Sequence, residues 1–377
     1  MISSANTIQH DMSFWQKILS LNWVLMLMII ATASVGFACL YSAAGGSMSP
    51  WASMQMARFA VGFVGMLIIA LIDIRWWYRL SWFFFAAGMV LLIAVEAMGH
   101  VGMGAQRWIN LGFIRLQPSE IMKIAVVMAL ARYFHAATLE DMRRIKFLIV
   151  PVLIIAAPVC LVLLQPDLGT SLMIIMAGTS MFFMAGASIW IFIAGAVIVC
   201  ASIPIAWQFL HDYQKARVMT FLDPESDPLG AGYHITQSKI ALGSGGLEGK
   251  GFLQGTQSNL NFLPEKQTDF IFTLWAEEWG LWGGLGLLTL FWMIFLYGTW
   301  IALRARQNYA RFLVLGLTVN FSLYVFINIA MVMGLIPVVG APLPMISYGG
   351  TSMLAALASF GLIMSASIHR DSKVTRL

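Results

Sequence analysis

The sequence predicts an all-α, polytopic membrane protein of about ten transmembrane helices. Three observations carry that prediction. Hydrophobic residues make up 60% of the chain and mean hydropathy is +0.82. Only 10% of residues are charged. The apolar runs are each about 20 residues long, the length that crosses a bilayer as a helix. They are apolar on every face, so lipid rather than a soluble core is their natural solvent.

In chain order the runs lie near 22–43, 56–73, 77–98, 118–135, 147–164, 168–186, 188–210, 270–303, 310–335 and 347–368. The eighth is too long for a perpendicular span; it either tilts or begins outside the membrane. Residues 1–20 carry His10, Asp11 and Lys17 with no apolar signal core, and read as a short cytoplasmic tail. Residues 211–269 form a large extracytoplasmic loop between helices seven and eight, and 1–377 reads as one transmembrane domain. Cys39, Cys160 and Cys200 all fall in apolar runs, which predicts packed small hydrophobes rather than disulfides or a metal site.

Orientation follows from the basic residues. With both ends inside, the cytoplasmic set is Lys17, Arg75, Arg79, Arg132, Arg143, Arg144, Lys146, Arg304, Arg306, Arg311, Arg370, Lys373 and Arg376, thirteen of twenty-two. The short outer segments hold only Arg58, Arg107 and Arg115. The net charge of +5 is therefore loop bias and not a nucleic-acid signal. On this topology segment 99–117, the Gln165-Pro166-Asp167 turn, loop 211–269 and the Pro-rich turn 336–346 all face outward, where no ATP is available.

Four constellations lie on that side. In "GAQRWINLGFIRLQPSEIMKIA", Gln117, Pro118, Ser119 and Glu120 start a helix, with the acid at its positive end. Glu120 and Lys123 share a face three residues apart and either form a structural pair or face a cavity. Arg107 and Arg115 flank Trp108 and suit an anionic headgroup, or serve as ordinary interfacial anchors. In "LLQPDLGTS", Asp167 either caps the next helix or neighbours the site. The loop 211–269 is rich in Gly and Pro, and loops of this length are usually functional or disordered. Its "GSGGLEGKG" is no phosphate loop, because Ser244 stands where the first Gly is needed and Gly251 replaces the Ser/Thr. "HITQSKIALGSGG" predicts a short helix on the membrane surface, carrying Lys239. Finally, "NFLPEKQTDFIFTLWAEEWG" sets Glu265, Lys266, Asp269, Glu277 and Glu278 against an apolar run. Asp269 stands at a helix mouth, as an N-cap or as a general base. The helix N-terminus favours its charged form and apolar surroundings its neutral form.

The chain resembles the SEDS family of bacterial envelope polymerases nearly end to end. The resemblance rests on "GAQRWINLG…LQPSEIMKIA", "QPDLGTS", "RVMTFLDPESDPLGAGYHITQSKIALGSGG", "GTQSNLNFLPEKQTDFIF…EEWG" and "GLIPVVGAPLPMISYGGTS", in that order. "DPESDPLGAGYHITQSKIA" and "PVVGAPLP" place it nearer the elongation branch than the division branch. The resemblance implies a fold of about ten spans in the bacterial inner membrane and an active site facing the periplasm. It implies an inverting peptidoglycan glycosyltransferase that polymerises lipid II and releases undecaprenyl pyrophosphate, for elongation and rod shape. The expected partners are a class B penicillin-binding protein and other elongation-complex proteins. The family's essential aspartate corresponds to Asp269. Relatives commonly carry His where this chain has Gln267, so Asp269 must act without it; in the family's "EELG", Glu278 is kept and Trp279 replaces Leu.

A lipid-linked donor needs a groove that holds its tail in lipid and its sugar outside. Transfer needs a base for the acceptor hydroxyl, assigned to Asp269, and neutralisation of the departing pyrophosphate. Arg107, Arg115 and Lys123 are the candidates for the latter, with Lys239 a weaker one. Magnesium or manganese is a further expectation, with ligands unassigned, and no nucleotide is required. The substrate-binding set is thus Arg107, Trp108, Arg115, Gln117, Ser119, Glu120, Lys123, Asp167, Lys239 and Glu278. The rival reading is a lipid II flippase, which the internal charges Glu120, Lys123 and Glu278 would suit. Against it, the polar motifs concentrate on one side, and no pair of matching interrupted helices is present in the sequence.

Overall fold

A computed structural model describes residues 13–98, 100–102, 105–110, 115–210, 212–223, 231–259 and 265–370. Each predicted apolar run coincides with a helix. After the short, capped α1 (Phe14–Leu19) come α2 (Trp23–Ala43), α3 (Trp51–Leu71), α4 (Ile74–Met98), α5 (Pro118–Phe134), α6 (Ile145–Leu164), α7 (Leu168–Met184) and α8 (Ile189–Phe209). The outer loop holds α9 (Asp212–Leu222), α10 (Ala231–Ser244) and α11 (Thr256–Asn259). Then follow α12 (Ile271–Arg304), α13 (Asn308–Val332) and α14 (Gly350–Ile368). Among the described residues seven helices are long and apolar enough to cross a membrane: α2, α3, α4, α6, α12, α13 and α14. α5, the most polar of the predicted spans, is not among them, whereas α7 and part of α8 are apolar but shorter.

Burial sorts the helices into a centre and a rim. α5 and α13 are inside, with Val127, Leu130, Ala131, Leu313, Val314 and Leu317 fully enclosed. α3 lies close against α14 because Gly62 and Gly361 leave no room between backbone and the facing Leu357 and Ile69. α8 is exposed along nearly its whole length, with Val197, Ile198 and Val199 each more than 60% accessible, which suits a lipid-facing element. Prolines 151 and 158 in α6 and 204 in α8 are tolerated as in other spanning helices. Of the cysteines only Cys39 is packed; Cys160 and Cys200 point outward from α6 and α8, because those helices present their apolar side chains to lipid.

Three local features add to the sequence reading. Segment 100–116 carries a small antiparallel sheet in the order β1 (His100–Gly102), β2 (Ala105–Asn110), β3 (Arg115–Leu116), pairing Val101 with Gln106 and Asn110 with Arg115. The surface helix expected at 234–246 exists as α10, and it is docked on the bundle: Ser238 is fully buried, bonded to Val332 O at 2.8 Å and to Thr273 Oγ1 at 2.9 Å.

The third is a break in α12. Gly280 adopts φ +62°, ψ −159°, so the long eighth run is a short outer piece followed by a span from Leu281 to Arg304. At 1.5 Å per residue that span is about 36 Å, enough to cross the hydrocarbon. The freed backbone groups are paired by the "GSGGLEGKG" loop. Lys250 N and Gly251 N donate to Glu277 O and Glu278 O, both at 3.0 Å, while Leu281 N and Trp282 N donate to Gly246 O and Leu247 O at 2.9 and 3.3 Å. A Cβ on Gly280 would collide with Gly249 N and Leu247 O. The loop is therefore a clasp that pairs the backbone groups freed by the helix break.

Candidate functional site

Asp269 lies one residue before the cap of α12, in a turn over 265–270. Glu265 takes a left-handed backbone (φ +58°), which brings Thr268 Oγ1 to within 3.1 Å of Glu265 O and 2.7 Å of its Oε2. The Pro-rich turn after α13 holds this segment in place. Asn328 Nδ2 bridges Asp269 O at 2.9 Å and Ala341 O at 2.7 Å. Ser347 Oγ donates to Thr268 O at 2.6 Å and accepts from Leu343 N at 2.7 Å; Tyr348 N donates to Gln267 O at 2.8 Å. The three that reach 267–269 all end on its backbone carbonyls, so they fix the position of Asp269 without occupying its carboxylate.

The carboxyl group is half-buried, beside Gly340. A Cβ on Gly340 would stand 3.5 Å from Asp269 Oδ2, so the glycine (φ +79°) keeps the approach to that oxygen open. Burial and the neighbouring Glu265 charge push its pKa up from the usual carboxylate range to about 6, partly opposed by Arg217 on α9. A carboxyl poised there is ionised at neutral pH and still basic enough to take a proton.

The other outer motifs converge on the same end. Arg107 on β2 donates to Gln165 O at 3.3 Å and to Pro166 O, and its Nε lies 3.7 Å from Asp167 Oδ2. Asp167 caps α7, accepting from Thr170 N at 3.2 Å and Thr170 Oγ1 at 2.9 Å. A Cβ on Gly169 would overlap Val339, so the start of α7 touches the Pro-rich turn next to Gly340. Thr351 Oγ1 donates to Arg115 O at 2.8 Å, tying β3 to the start of α14. Arg58 lies over the Tyr348 ring at 4.8 Å, beside Gly350. Arg115 is exposed and no described residue pairs with its guanidinium.

Below this end lies a sealed charge group. Lys123 Nζ donates to Glu120 Oε1 at 2.8 Å, and Tyr324 OH is 2.8 Å from both carboxylate oxygens. Lys123 also stands over the Tyr324 ring at 4.2 Å and is 2% exposed. Glu120, Asn320 and Tyr324 line a mostly apolar cleft of about 480 Å³, open space included, between α5, α13 and α14. Pro342 and Pro344 stand at one end of it and Leu317 and Ile363 at the other. From Ser352 to Ile363 it follows α14 for about 16 Å.

The predicted residues thus divide. Arg107, Arg115, Asp167 and Asp269 belong to one connected end of the bundle, with Glu120 and Lys123 paired below it. Gln117 caps α5 by backbone alone, and Ser119 is buried in its first turn. Trp108 is half-buried in β2, facing His100 across the hairpin. Lys239 is exposed on α10, its stem lying across Gly334. Glu278 sits in the clasp, accepting from Ser42 Oγ and from Leu253 N at 3.1 Å. Glu277 is fully buried beside it, held by Lys250 Nζ at 2.8 Å, Gln257 N at 2.9 Å and Thr256 Oγ1 at 3.2 Å. Sequence reasoning passed over Arg58, Arg217, Tyr324, Asn328 and Gly340. A buried Asn and Tyr on an apolar helix were available as a signal, whereas nothing local in the sequence ties Arg58 or Arg217 to the site.

A family model described as the FtsW, RodA and SpoVE cell cycle protein matches residues 12–372. The chain belongs to this family. Peptidoglycan glycosyltransferase MrdB of Escherichia coli strain K12 is 45% identical over 359 residues, 95% of this chain and 96% of that one. The probable peptidoglycan glycosyltransferase FtsW of Coxiella burnetii is 34% identical over 375 residues, 97% and 99% of the two chains. Among solved structures, a chain from a peptidoglycan synthase complex that coordinates polymerization and crosslinking aligns with TM-score 0.82 at 28% identity, over 94% of this chain and all (100%) of that one. The rod shape determining protein RodA of Thermus thermophilus aligns with TM-score 0.72 at 25% identity, over 94% and 99%. The family's all-helical, multi-pass fold is the one described above, and the higher identity to MrdB places the chain on the rod-shape side of the family.

Proposed function

We propose that Asp269 takes the acceptor's proton when this peptidoglycan glycosyltransferase of the RodA type extends a glycan strand. The observation that carries the proposal is a half-buried carboxyl, pushed up to about 6 and reached past a glycine, held only through its backbone. In the reaction the acceptor sugar hydroxyl attacks the anomeric carbon of the lipid-linked donor. A new C–O bond forms, the sugar–phosphate bond breaks, the proton passes to Asp269, and undecaprenyl pyrophosphate departs. One displacement inverts the anomeric centre. The energy comes from the bond that breaks.

The remaining geometry supports this reading. The apolar cleft beneath the Pro-rich turn suits the start of a prenyl tail, with the sugar left at the outer end. Arg115, exposed and unpaired among the described residues, is the first candidate for the leaving pyrophosphate, with Arg58 beside it. Arg107 and Lys123 are already committed, to the Gln165–Asp167 turn and to Glu120. They hold the walls rather than meet the substrate. Among the described residues no cluster of three metal-ligating side chains exists. Glu265 and Asp269 are close enough to feel each other's charge, and two carboxylates with substrate phosphates are a usual magnesium set. Glu265 would hold such an ion, which would neutralise phosphate charge.

By the distribution of Lys and Arg, the end bearing Asp269 faces the periplasm of a bacterial inner membrane. A class B penicillin-binding protein is the proposed partner, consistent with the neighbouring synthase complex. Of the small residues on α12, Gly280 and Gly283 serve internal contacts while Gly286 has nothing within 4 Å. The face around Gly286, Trp282 and Trp292 is the proposed seat for its single helix.

Reconstitution with lipid II tests the central assignment. Asp269→Asn is expected to lose polymerisation by about 10²–10⁴-fold with folding and partner assembly kept. Normal glycan strands from that variant would refute the base role. Headgroup translocation without strands from the wild type would favour the flippase.

A further inference from the structure

The end of the bundle opposite Asp269 carries a second pocket. Its walls come from the start of α2, the last turns of α12 and the end of α14, with about 600 Å³ of empty space including its open mouth. Asn22, Tyr297, Trp300, Arg304, Ser367 and Arg370 face it, and among the described residues no carboxylate lines it. Along α12 this end is separated from the Gly280 break by the full hydrocarbon span, so the pocket belongs to the leaflet away from Asp269.

The chemistry of the walls is that of an anion site. Tyr297 OH donates to Asn22 Oδ1 at 2.7 Å, which turns the amide so that Nδ2 points toward Ser367 Oγ, 3.5 Å away. Both sides of the amide are thus partnered, which fixes it in the pocket wall. Arg304 is fixed flat over the Trp300 ring at 4.0 Å, a stack that orients its N–H fork without consuming it. Asp73, a carboxylate near the same end, is already bonded to Arg75 at 2.8 Å. Trp300 in its wall is 42% exposed, and Trp23 and Leu303, the chain neighbours of the lining residues Asn22 and Arg304, are 53% and 68% exposed, as residues at headgroup level are. α1 carries Trp15, and the chain runs from it directly into the pocket wall at Ser20 and Leu21.

From these observations we infer that this pocket binds the phosphate of an anionic phospholipid of the inner leaflet, with Arg304 on the phosphate and the exposed Trp300 on the glycerol and upper acyl region. Basic pockets between spanning helices on the cytoplasmic side suit such headgroups. A lipid source is favoured over free phosphate because the mouth opens among exposed aromatics at the membrane interface. The site is independent of the transfer reaction: none of its residues takes part in the periplasmic end.

Native mass spectrometry of the full chain in detergent tests it, with dioleoyl-phosphatidylglycerol and dioleoyl-phosphatidylcholine titrated in parallel. Wild type is expected to retain phosphatidylglycerol in preference. Arg304→Gln is expected to weaken that retention about fivefold. Arg79→Gln, which removes a basic residue of the same leaflet outside the pocket, is expected to leave it unchanged. Arg304→Lys keeps the charge and loses the fork, and is expected to fall between; it also carries the test if Arg304→Gln does not fold. Equal retention of the two lipids by wild type, or equal loss in the Arg79 and Arg304 variants, would overturn the site. Displacement of phosphatidylglycerol by millimolar inorganic phosphate would overturn the lipid assignment.

Discussion

Asp269 and the pair Glu277–Glu278 stand eight and nine residues apart, on the same turn-and-helix segment. Glu277 is fully buried and receives three donors; Glu278 is 2% exposed and bound to Ser42 and Leu253. Asp269 is half-buried, and the hydrogen bonds around it stop at the backbone. The difference separates two uses of an acid in a membrane protein. Where the helix breaks at Gly280, Glu277 and one oxygen of Glu278 are spent on holding a loop against the break, while Glu278 Oε2 is buried without a hydrogen-bond partner among the described residues. Where the helix begins, the acid is held in place and left open. Cost alone does not mark a reactive group, since both are expensive at this depth; an unspent carboxylate beside a gap does.

The comparison can be broken at several points. Asp269→Asn should produce the largest loss, the 10²–10⁴-fold fall in strand synthesis already stated, with little change in stability. Removing one partner of a sealed pair should do the reverse. Lys123→Met leaves Glu120 buried with only Tyr324 and is expected to cost roughly 3–5 kcal/mol. Glu120→Gln with Lys123→Met should recover most of that loss. Thermal unfolding of purified protein in detergent reads both; a double variant no more stable than the single would show that the two side chains do not hold one another. Gly280→Ala should come next. It places a Cβ in a left-handed backbone and against Gly249, for about 1–3 kcal/mol of strain. An unchanged melting point would mean that the clasp does not hold the break.

Much of the fold was legible because hydrophobic length is a composition-level signal, and each of the predicted runs became a helix. The break in α12 was half-visible: the run was too long, and "EEWGLWGGLG" offered glycines, but nothing local says that residues 246–251 supply its missing hydrogen bonds. The 100–116 hairpin was missed because its strands are as short as two residues. Asp269 and Asp167 were legible from their places at helix starts. Arg217 and Gly340, which set the charge and access of Asp269, were not, since they reach it only through the folded loop and the Pro-rich turn. Glu278 looked like a site residue for the same reason that Asp269 did, and it differs by its burial and by the bonds of its Oε1.

The most direct measurement is the pH dependence of kcat/KM for strand synthesis by the reconstituted protein. A base with its pKa raised to about 6 is charged above that pH, so activity should fall as pH drops through it. Glu265→Gln removes a repulsive charge and should move that acidic limb to lower pH; Arg217→Gln removes an attractive one and should move it to higher pH. A limb that stays in place in both variants, or activity that persists undiminished well below pH 6, would contradict Asp269 as the proton acceptor.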